Sequence, residues 1–307
     1  MGVLSSEGPW NVRWTTASDR PNGQIRLRWL RMTRRTLLSA APAALPLGAS
    51  LATAHKGRLK QAVARWCYDS IPLEQLCRAA ADMGLAGVDL VPPEDAPTLK
   101  KYGLVPSMIL PGGGTIPDGL NRLENHTRIE EELRKRIPEA AAVGAPNIIT
   151  FSGNRRGLPD EEGINNCVMG LNRMRRIAED HGVTICLELL NSKIDHKDYQ
   201  CDHTAWGLEV VRRVGSPRVK LLYDIYHMQI MEGDILRTIR DHIEWIGHFH
   251  TGGVPGRHEL DETQELNWRT IARAIADLGF SGYFAHEFVP LHDPLTSLRQ
   301  AVDLCTV

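Results

Sequence analysis

The amino-acid sequence predicts an α/β protein with a single-domain (β/α)₈ barrel, the TIM-barrel architecture. Short apolar runs alternate with longer amphipathic stretches, a pattern typical of parallel βα units. Eight such runs can be counted, which is the number of strands in this barrel. Residues 55–307 comprise 253 residues, close to the usual barrel length of about 250. The predicted strands are 62–67, 86–91, 104–109, 146–152, 183–189, 218–224, 245–250 and 282–288.

Apolar periodicity predicts the helices between these strands. Ile129, Leu133 and Ile137 recur at i, i+4 and i+8, which places them on one face of a helix. A glycine stands at five helix-to-strand junctions, where a positive φ can end the helix. These glycines are Gly84, Gly103, Gly144, Gly182 and Gly279. The predicted helices are 73–83, 94–102, 125–142, 161–181, 203–214, 232–241, 267–278 and 294–305.

An open, doubly wound sheet is the alternative arrangement of the same elements. A dinucleotide-binding sheet of that kind carries G-x-G-x-x-G after its first strand, and no such motif follows the run 62–67. The glycines of PGGGT (111–115) follow the third predicted strand and lack the lysine of a phosphate-binding P-loop. We therefore interpret PGGGT as a loop and favour the barrel.

Residues 32–54 have the features of an export signal. A twin arginine, Arg34-Arg35, precedes an uncharged apolar stretch, and a small-x-small sequence ends the segment. A buried helix is the alternative, but Pro42 and Pro46 would break it. We expect a twin-arginine-type signal peptide and an exported or periplasmic protein; without such a signal the protein would be cytoplasmic.

Residues 1–31 show no sustained apolar period, and Met32 stands at the natural start of the signal. We expect 1–31 to be an upstream extension or a misassigned start; a peptide from it in the expressed precursor would contradict this. The catalytic barrel domain is expected to span 55–307.

Charge and hydropathy limit the classes of partner. Lys and Arg number 36 against 37 Asp and Glu, so the chain, with a net charge of −1, lacks the excess of basic residues expected of a nucleic-acid-binding domain. No apolar run reaches the roughly 18 residues that span a bilayer. A small-molecule partner is therefore predicted, with neither nucleic acid nor a membrane span.

Metal-ligand residue types end four consecutive predicted strands. Glu188, Asp224, His250 and Glu287 belong to strands five to eight. The carboxyl ends of barrel strands share one rim and carry the active site. Three carboxylates and one imidazole suit Mn²⁺, Mg²⁺ or Co²⁺. We predict a divalent metal site, although a single strand-end carboxylate could instead cap the following helix.

This ligand set suits proton transfer next to a carbonyl. A divalent ion polarises a carbonyl and its neighbouring hydroxyl, which acidifies the C–H bond between them. Glu188 and Glu287 end strands that are separated by two others, so they could flank a small substrate as an acid/base pair. The expected reaction is isomerisation or epimerisation through a cis-enediolate.

Four further side chains are predicted to bind substrate. His227 lies just past strand six, and Arg257, after strand seven, could clamp a carboxylate or phosphate, with a surface ion pair as the alternative. Trp66, predicted at the end of strand one, could cover a sugar face or pack in the core. His248 shares a strand face with His250, so one can be a ligand and the other a packed histidine.

Several motifs give the chain a family resemblance. They are ENHTRIEEELRKRIPEAAAVGAPNIITFSGNR (124–155), LELLNS (187–192), YDIYHMQIMEGD (223–234), HFHTGGVPGRHEL (248–260) and HEFVP (286–290). From about Lys60 onward the chain resembles hydroxypyruvate isomerases and the wider sugar isomerase/epimerase superfamily with the xylose-isomerase-like barrel. The resemblance implies that Glu188, Asp224, His250 and Glu287 are metal ligands. It also makes the two glutamates the acid/base pair, and implies that His227 and Arg257 approach the substrate.

The resemblance implies a metal-dependent isomerase that interconverts hydroxypyruvate and tartronate semialdehyde, and Arg257 within PGRHE favours this branch. His250 points instead to a ketose 3-epimerase, because hydroxypyruvate isomerases usually carry glutamine there. A non-catalytic, exported sugar-binding protein is a further alternative. The nuclease branch of the superfamily is disfavoured by the neutral net charge. Relatives are often dimers or tetramers, which suggests a homo-oligomer by analogy.

Overall fold

The computed structural model describes residues 55–111 and 114–307. The predicted upstream extension (1–31) and signal peptide (32–54) lie outside these ranges, as do Gly112 and Gly113 of the PGGGT loop.

Eight parallel strands form one curved sheet in the order β3-β2-β1-β8-β7-β6-β5-β4. They are β1 (Lys60–Ala64), β2 (Gly87–Asp89), β3 (Val105–Pro106), β4 (Asn147–Thr150), β5 (Thr184–Glu188), β6 (Val219–Asp224), β7 (Ile246–Thr251) and β8 (Tyr283–His286). The pairing of β1 with β8 places the first strand beside the last. The predicted (β/α)₈ barrel is confirmed.

A single residue, Ile109, joins β3 to β4 and completes the ring of strands. Its backbone N–H donates to the carbonyl of Asn147 at 2.9 Å, and its carbonyl accepts from the N–H of Ile149 at 3.2 Å. Ile109 also forms a parallel bridge to Val91, beyond the end of β2. Its side chain is fully buried in the main apolar cluster.

Helices follow the strands in the described part of the chain. They are α1 (Leu73–Met83), α2 (Ala96–Lys101), α3 (His126–Ala142), α4 (Asp160–His181), α5 (Thr204–Val214), α6 (Ile225–Met231), α7 (Ile235–His242), α8 (Trp268–Asp277) and α9 (Pro294–Cys305). All five junction glycines adopt positive φ, as their position predicted. None of the described helices combines the length and apolar character that crossing a membrane requires.

Several boundaries differ from the prediction, and two of these differences affect the site. Strand β1 ends at Ala64, because residues 65–68 turn into a short 3₁₀ helix that carries Trp66. The helix predicted over 232–241 is shorter and is preceded by α6. The Asp224 side chain caps α6 by accepting the N–H of His227 at 3.2 Å, and positive φ at Gly233 and Asp234 separates α6 from α7.

Strand alternation decides which side chains face the inside of the barrel. Residues two apart share a face, so Lys220, Leu222 and Asp224 of β6 point the same way, and so do His248 and His250 of β7. The carboxyl end of the barrel therefore receives Asp224 and His250, whereas its amino end receives Lys220.

The closing role of Ile109 can be tested by truncation. Ile109→Ala should lower the free energy of unfolding by roughly 2–5 kcal/mol in urea titrations, because it leaves a cavity where the ring of strands closes. Ile194→Ala removes the same atoms from a residue that is 64% exposed, and should change stability by less than about 0.5 kcal/mol. Equal effects of the two substitutions would contradict this account.

Candidate metal centre and active site

The structure brings the four predicted ligands together at the carboxyl end of the barrel. Glu188 ends β5, Asp224 ends β6, His250 lies near the end of β7, and Glu287 follows β8 directly. Each offers one ligand atom, and these atoms all lie within 4.8 Å of one another. All four side chains are buried.

The carboxylates converge on Nδ1 of His250. This nitrogen lies 2.7 Å from Oε2 of Glu287, 3.3 Å from Oε1 of Glu188 and 3.9 Å from Oδ2 of Asp224. It nevertheless makes no hydrogen bond of acceptable geometry to the described residues. A buried imidazole nitrogen that faces three carboxylates fits a divalent cation well.

Burial and mutual charge shift the protonation of this cluster. Burial raises the pKa of Glu188, and it raises the pKa of Asp224 to about 7. Burial also disfavours ionised Glu287, but the charges of Arg257 and His250 prevail and lower its pKa to about 2. In the same way, burial disfavours charged His250, yet the negative charge of Glu287 and the hydrogen bond to Asp89 raise its pKa well above the usual value. A bound cation would have to displace these protons.

Asp89, which the sequence analysis missed, orients His250. It ends β2, is fully buried, and its Oδ2 accepts from Nε2 of His250 at 2.8 Å. Ser107 Oγ donates to Oδ1 of Asp89 at 2.6 Å. The contact with Asp89 turns Nδ1 of His250 toward the carboxylates, as carboxylate partners do for metal-bound histidines. An acidic residue inside the apolar run AGVDLV was the signal that could have revealed it.

The structure places His248, a predicted substrate-binding residue, below His250. Its Nε2 lies 3.2 Å from Oδ1 of Asp89, and the two histidine rings are 5.1 Å apart. Its Nδ1 faces the side-chain amide of Asn147 at 3.4 Å. His248 thus supports Asp89 from inside the barrel, although Asp89, His248 and His250 are also close enough to share an ion.

A cavity of about 320 Å³ opens above the cluster. Its polar lining consists of Glu188, Glu287, Arg257 and His196, and the indole of Trp66 borders it. Its other lining residues are apolar: Leu90, Leu110, Pro111, Ile116, Ile149, Phe151 and Leu190. A small substrate would therefore meet charged groups on one side and apolar side chains on the other.

Arg257 reaches this cavity from the loop after β7. Its backbone adopts φ +59°, and its Nη2 donates to Oδ2 of Asp224 at 2.9 Å and to Oε2 of Glu287 at 2.5 Å. The guanidinium carbon lies 5.5 Å from the ring centre of Trp66 and 5.3 Å from that of Tyr226. Two aromatic rings thus hold the cation against the carboxylates, and Arg257 forms no exposed surface ion pair.

Trp66 lies on the 3₁₀ turn after β1, not on the predicted strand end. Its side chain is 42% exposed, so it is not a core residue. Its Nε1 donates to Oε1 of Glu287 at 2.6 Å, whereas His250 faces Oε2, so the two residues hold different oxygens of this carboxylate.

Asn191 fixes the tautomer of His227, which lies in α6. Oδ1 of Asn191 accepts the N–H groups of Ile194 and Asp195, which fixes the orientation of its amide. Its Nδ2 therefore donates to Nδ1 of His227, at 2.6 Å. Burial lowers the pKa of His227 well below the usual value, so the neutral ring keeps its proton on Nε2, 3.6 Å from Asp224. The sequence analysis missed Asn191, although it stands in the LELLNS motif.

His286 faces away from the site. Its Nε2 donates to the side-chain oxygen of Gln61 at 2.9 Å, and its Nδ1 accepts from the hydroxyl of Thr251 at 3.2 Å. The ring is fully buried, and burial lowers its pKa to about 3.

Comparisons with known proteins agree with this geometry. The family model described as "Xylose isomerase-like TIM barrel" matches residues 77–305. The chain is 26% identical over 238 residues to the "Putative hydroxypyruvate isomerase" of Homo sapiens, covering 76% of this chain and 80% of that protein. It is 34% identical over 119 residues to the D-psicose 3-epimerase of Ruminiclostridium cellulolyticum, 38% of each chain. A solved structure entitled AP endonuclease, family 2, from Brucella melitensis superimposes with a TM-score of 0.69. It is 25% identical, and the match covers 78% of this chain and 96% of that one.

Buried neutral His286 should make the fold sensitive to acid. Its pKa of about 3 lies below the ordinary value of 6.5, so only the unfolded chain binds this proton as the pH falls below 6.5. Stability is therefore lost with acidification, and between pH 8 and pH 5 this residue should remove about 2 kcal/mol of unfolding free energy.

Urea titrations of the wild type and His286→Gln at both pH values measure that contribution. The substituted protein should lose about 2 kcal/mol less than the wild type on going to pH 5, and identical losses would exclude this role for His286. Comparing the two losses cancels the contributions of the other titrating groups.

Proposed function

The chain belongs to the xylose isomerase-like TIM barrel family, and we propose that it is a divalent-metal-dependent isomerase of hydroxypyruvate or a close hydroxy-carbonyl acid. The comparisons support an enzyme of the isomerase/epimerase superfamily. One observation carries the finer proposal: Glu188 and Glu287 converge on one buried imidazole nitrogen, with Arg257 in the same cavity.

The proposed ion would be held by Glu188, Asp224, His250 and Glu287, whose oxygen-rich set suits Mn²⁺, Mg²⁺ or Co²⁺. When bound, such an ion polarises the substrate carbonyl and hydroxyl and thereby acidifies the carbon between them. Asp89 holds His250 in position for ligation.

The two glutamates would then carry the proton. One carboxylate takes a proton from C3 of hydroxypyruvate, and the C–H electron pair forms the double bond of a cis-enediolate. The second carboxylate returns a proton to C2, while the proton of the C3 hydroxyl passes to the oxygen on C2. The C3–H bond is lost and a C2–H bond is gained, so the product is tartronate semialdehyde with no other reactant.

Arg257 and His227 support an acidic substrate. The guanidinium already donates through Nη2 to one carboxylate oxygen of Asp224 and one of Glu287, so the same group is suited to pair with a substrate carboxylate. His227 is buried and does not line the cavity, but its Nε2–H lies 3.6 Å from Asp224 without a hydrogen-bond partner among the described residues, so we propose that it donates to a substrate oxygen bound at the cluster. Trp66 would form the rim of the same cavity.

A ketose 3-epimerase is the second candidate, favoured by histidine at position 250 and by the similarity to a D-psicose 3-epimerase. The neutral net charge weighs against a nuclease, and a sugar-binding protein would not need two opposed carboxylates. We also propose export through residues 32–54 and assembly as a homo-oligomer.

The proton-shuttle proposal predicts that Glu188→Gln lowers turnover about 10²–10⁴-fold, the contribution of a positioned acid or base. Purified protein with Mn²⁺ should be assayed on hydroxypyruvate and on a panel of free ketoses. Glu262→Gln, at an exposed position, is the matched control and should keep full turnover. Unchanged turnover of Glu188→Gln would exclude the shuttle, and turnover of ketoses alone would favour the epimerase.

Asp89→Asn tests the proposed metal site separately from catalysis. The change weakens the contact that orients His250, so Mn²⁺ affinity measured by titration calorimetry should fall about 10–100-fold. Asp180→Asn, on the exposed side of α4, is the control and should bind Mn²⁺ as tightly as the wild type. Wild-type affinity in Asp89→Asn would show that this contact does not support a metal ligand.

A further inference from the structure

A second, larger cavity opens at the amino end of the barrel, opposite the candidate active site. Its volume is about 580 Å³. Its lining includes Lys60 at the start of β1, Thr184 of β5, Lys220 of β6 and Tyr283 of β8. We call this cavity the lower mouth.

Three of the four charged residues that line the lower mouth are positive, and the fourth is Glu244. Lys60, Arg218 and Lys220 line it, and among the described residues none of the three forms an ion pair with a carboxylate. Their contacts are neutral groups. Lys220 Nζ donates to the backbone carbonyl of Glu244 at 2.8 Å, Lys60 Nζ lies 5.6 Å from the ring centre of Tyr283, and Arg218 Nη1 lies 3.5 Å from the Thr184 hydroxyl.

The fold places these charges on different sides of one concavity. Lys220 shares the inward face of β6 with Asp224, and β1, which carries Lys60, is separated from β6 by β8 and β7. Between them, Gly247 and Gly282 add no side chain to the lining. A Cβ on Gly247 would come within 3.2 Å of the Cβ of Lys220, so glycine leaves room beside the lysine.

This arrangement favours an anion. Charges of one sign in a concave, low-dielectric wall focus their potential and raise the local concentration of counter-ions. Thr184 and Asn147 add neutral polar groups to the same lining. Ammonium and guanidinium groups that lack carboxylate partners are suitable donors for the oxygens of a phosphate group.

We propose that the lower mouth binds a small phosphate-type oxyanion, either inorganic phosphate or a phosphate monoester, through Lys60, Lys220 and Arg218. The site is separate from the metal cluster at the other end of the barrel.

Titration calorimetry of the full chain with inorganic phosphate tests this site. Lys60→Gln/Lys220→Gln should weaken binding at least about tenfold, because hydrogen bonds to charged groups contribute about 1.5–3 kcal/mol each. Lys101→Gln/Lys135→Gln removes the same charge from exposed positions outside the lining, and should leave phosphate affinity unchanged. Arg218→Gln is a milder variant that should also weaken binding, should the double variant fold poorly.

Arg257→Gln distinguishes the two ends of the barrel. Phosphate affinity lost in Arg257→Gln but kept in Lys60→Gln/Lys220→Gln would place the anion at the upper cavity and overturn the proposal. The absence of phosphate binding by the wild type would overturn it as well.

A parallel titration with glycerol phosphate separates the two sources, free phosphate and a phosphate monoester. Tighter, lysine-dependent binding of the ester would identify a monoester site, and tighter binding of inorganic phosphate would identify free phosphate. The outcome is independent of isomerase activity, since neither lysine lines the upper cavity.

Discussion

Three carboxylates that face one buried imidazole nitrogen impose the constraint on which the upper half of this barrel depends. Buried like charges repel each other and have lost their hydration, so positive groups must compensate them. The structure supplies His250 at the centre of the cluster and Arg257 at its edge. The aromatic rings beside Arg257 hold its guanidinium in position, and the indole N–H of Trp66 holds the carboxylate of Glu287. The same compensation could be provided by a divalent ion, which is why we propose a metal-dependent function.

The constraint extends along the barrel axis through a series of polar contacts, of which the one between Asp89 and His248 is a close approach and not a hydrogen bond. His250 contacts Asp89, Asp89 contacts His248 and Ser107, and His248 contacts Asn147. Leaving a buried polar group without a partner costs free energy of folding. Each residue in this series therefore depends on the next one. The large apolar cluster surrounds this polar centre. Asn147 also lines the lower mouth. The series of polar contacts therefore runs from the carboxylate cluster at one end of the barrel to the cavity with Lys60 and Lys220 at the other.

Much of this arrangement follows from local sequence patterns. The alternation of apolar runs with amphipathic helices located all eight strands, because buried parallel strands are short continuous apolar runs whereas the helices between them are apolar on one face only. The bounds of α1 and α9 agree with those predicted. The start of α7 differs because Asp224 caps an additional short helix, α6, and a side-chain cap leaves no periodic signal. Asp89 and Asn191 were missed for a related reason. Their partners, His250 on β7 and His227 on α6, lie far along the chain, and a single polar residue does not identify its partner.

The sequence by itself determined that Glu188, Asp224, His250 and Glu287 lie at the carboxyl ends of β5 to β8 and therefore share one rim, because parallel strands in a barrel present their carboxyl ends together. Only the tertiary structure decided which nitrogen of His250 faces the carboxylates, which contacts hold Arg257, and that His248 supports Asp89 from below. It also revealed that Lys60 of β1 and Lys220 of β6 line one cavity. These features depend on strand register and loop path, which are set by contacts between residues far apart in the chain.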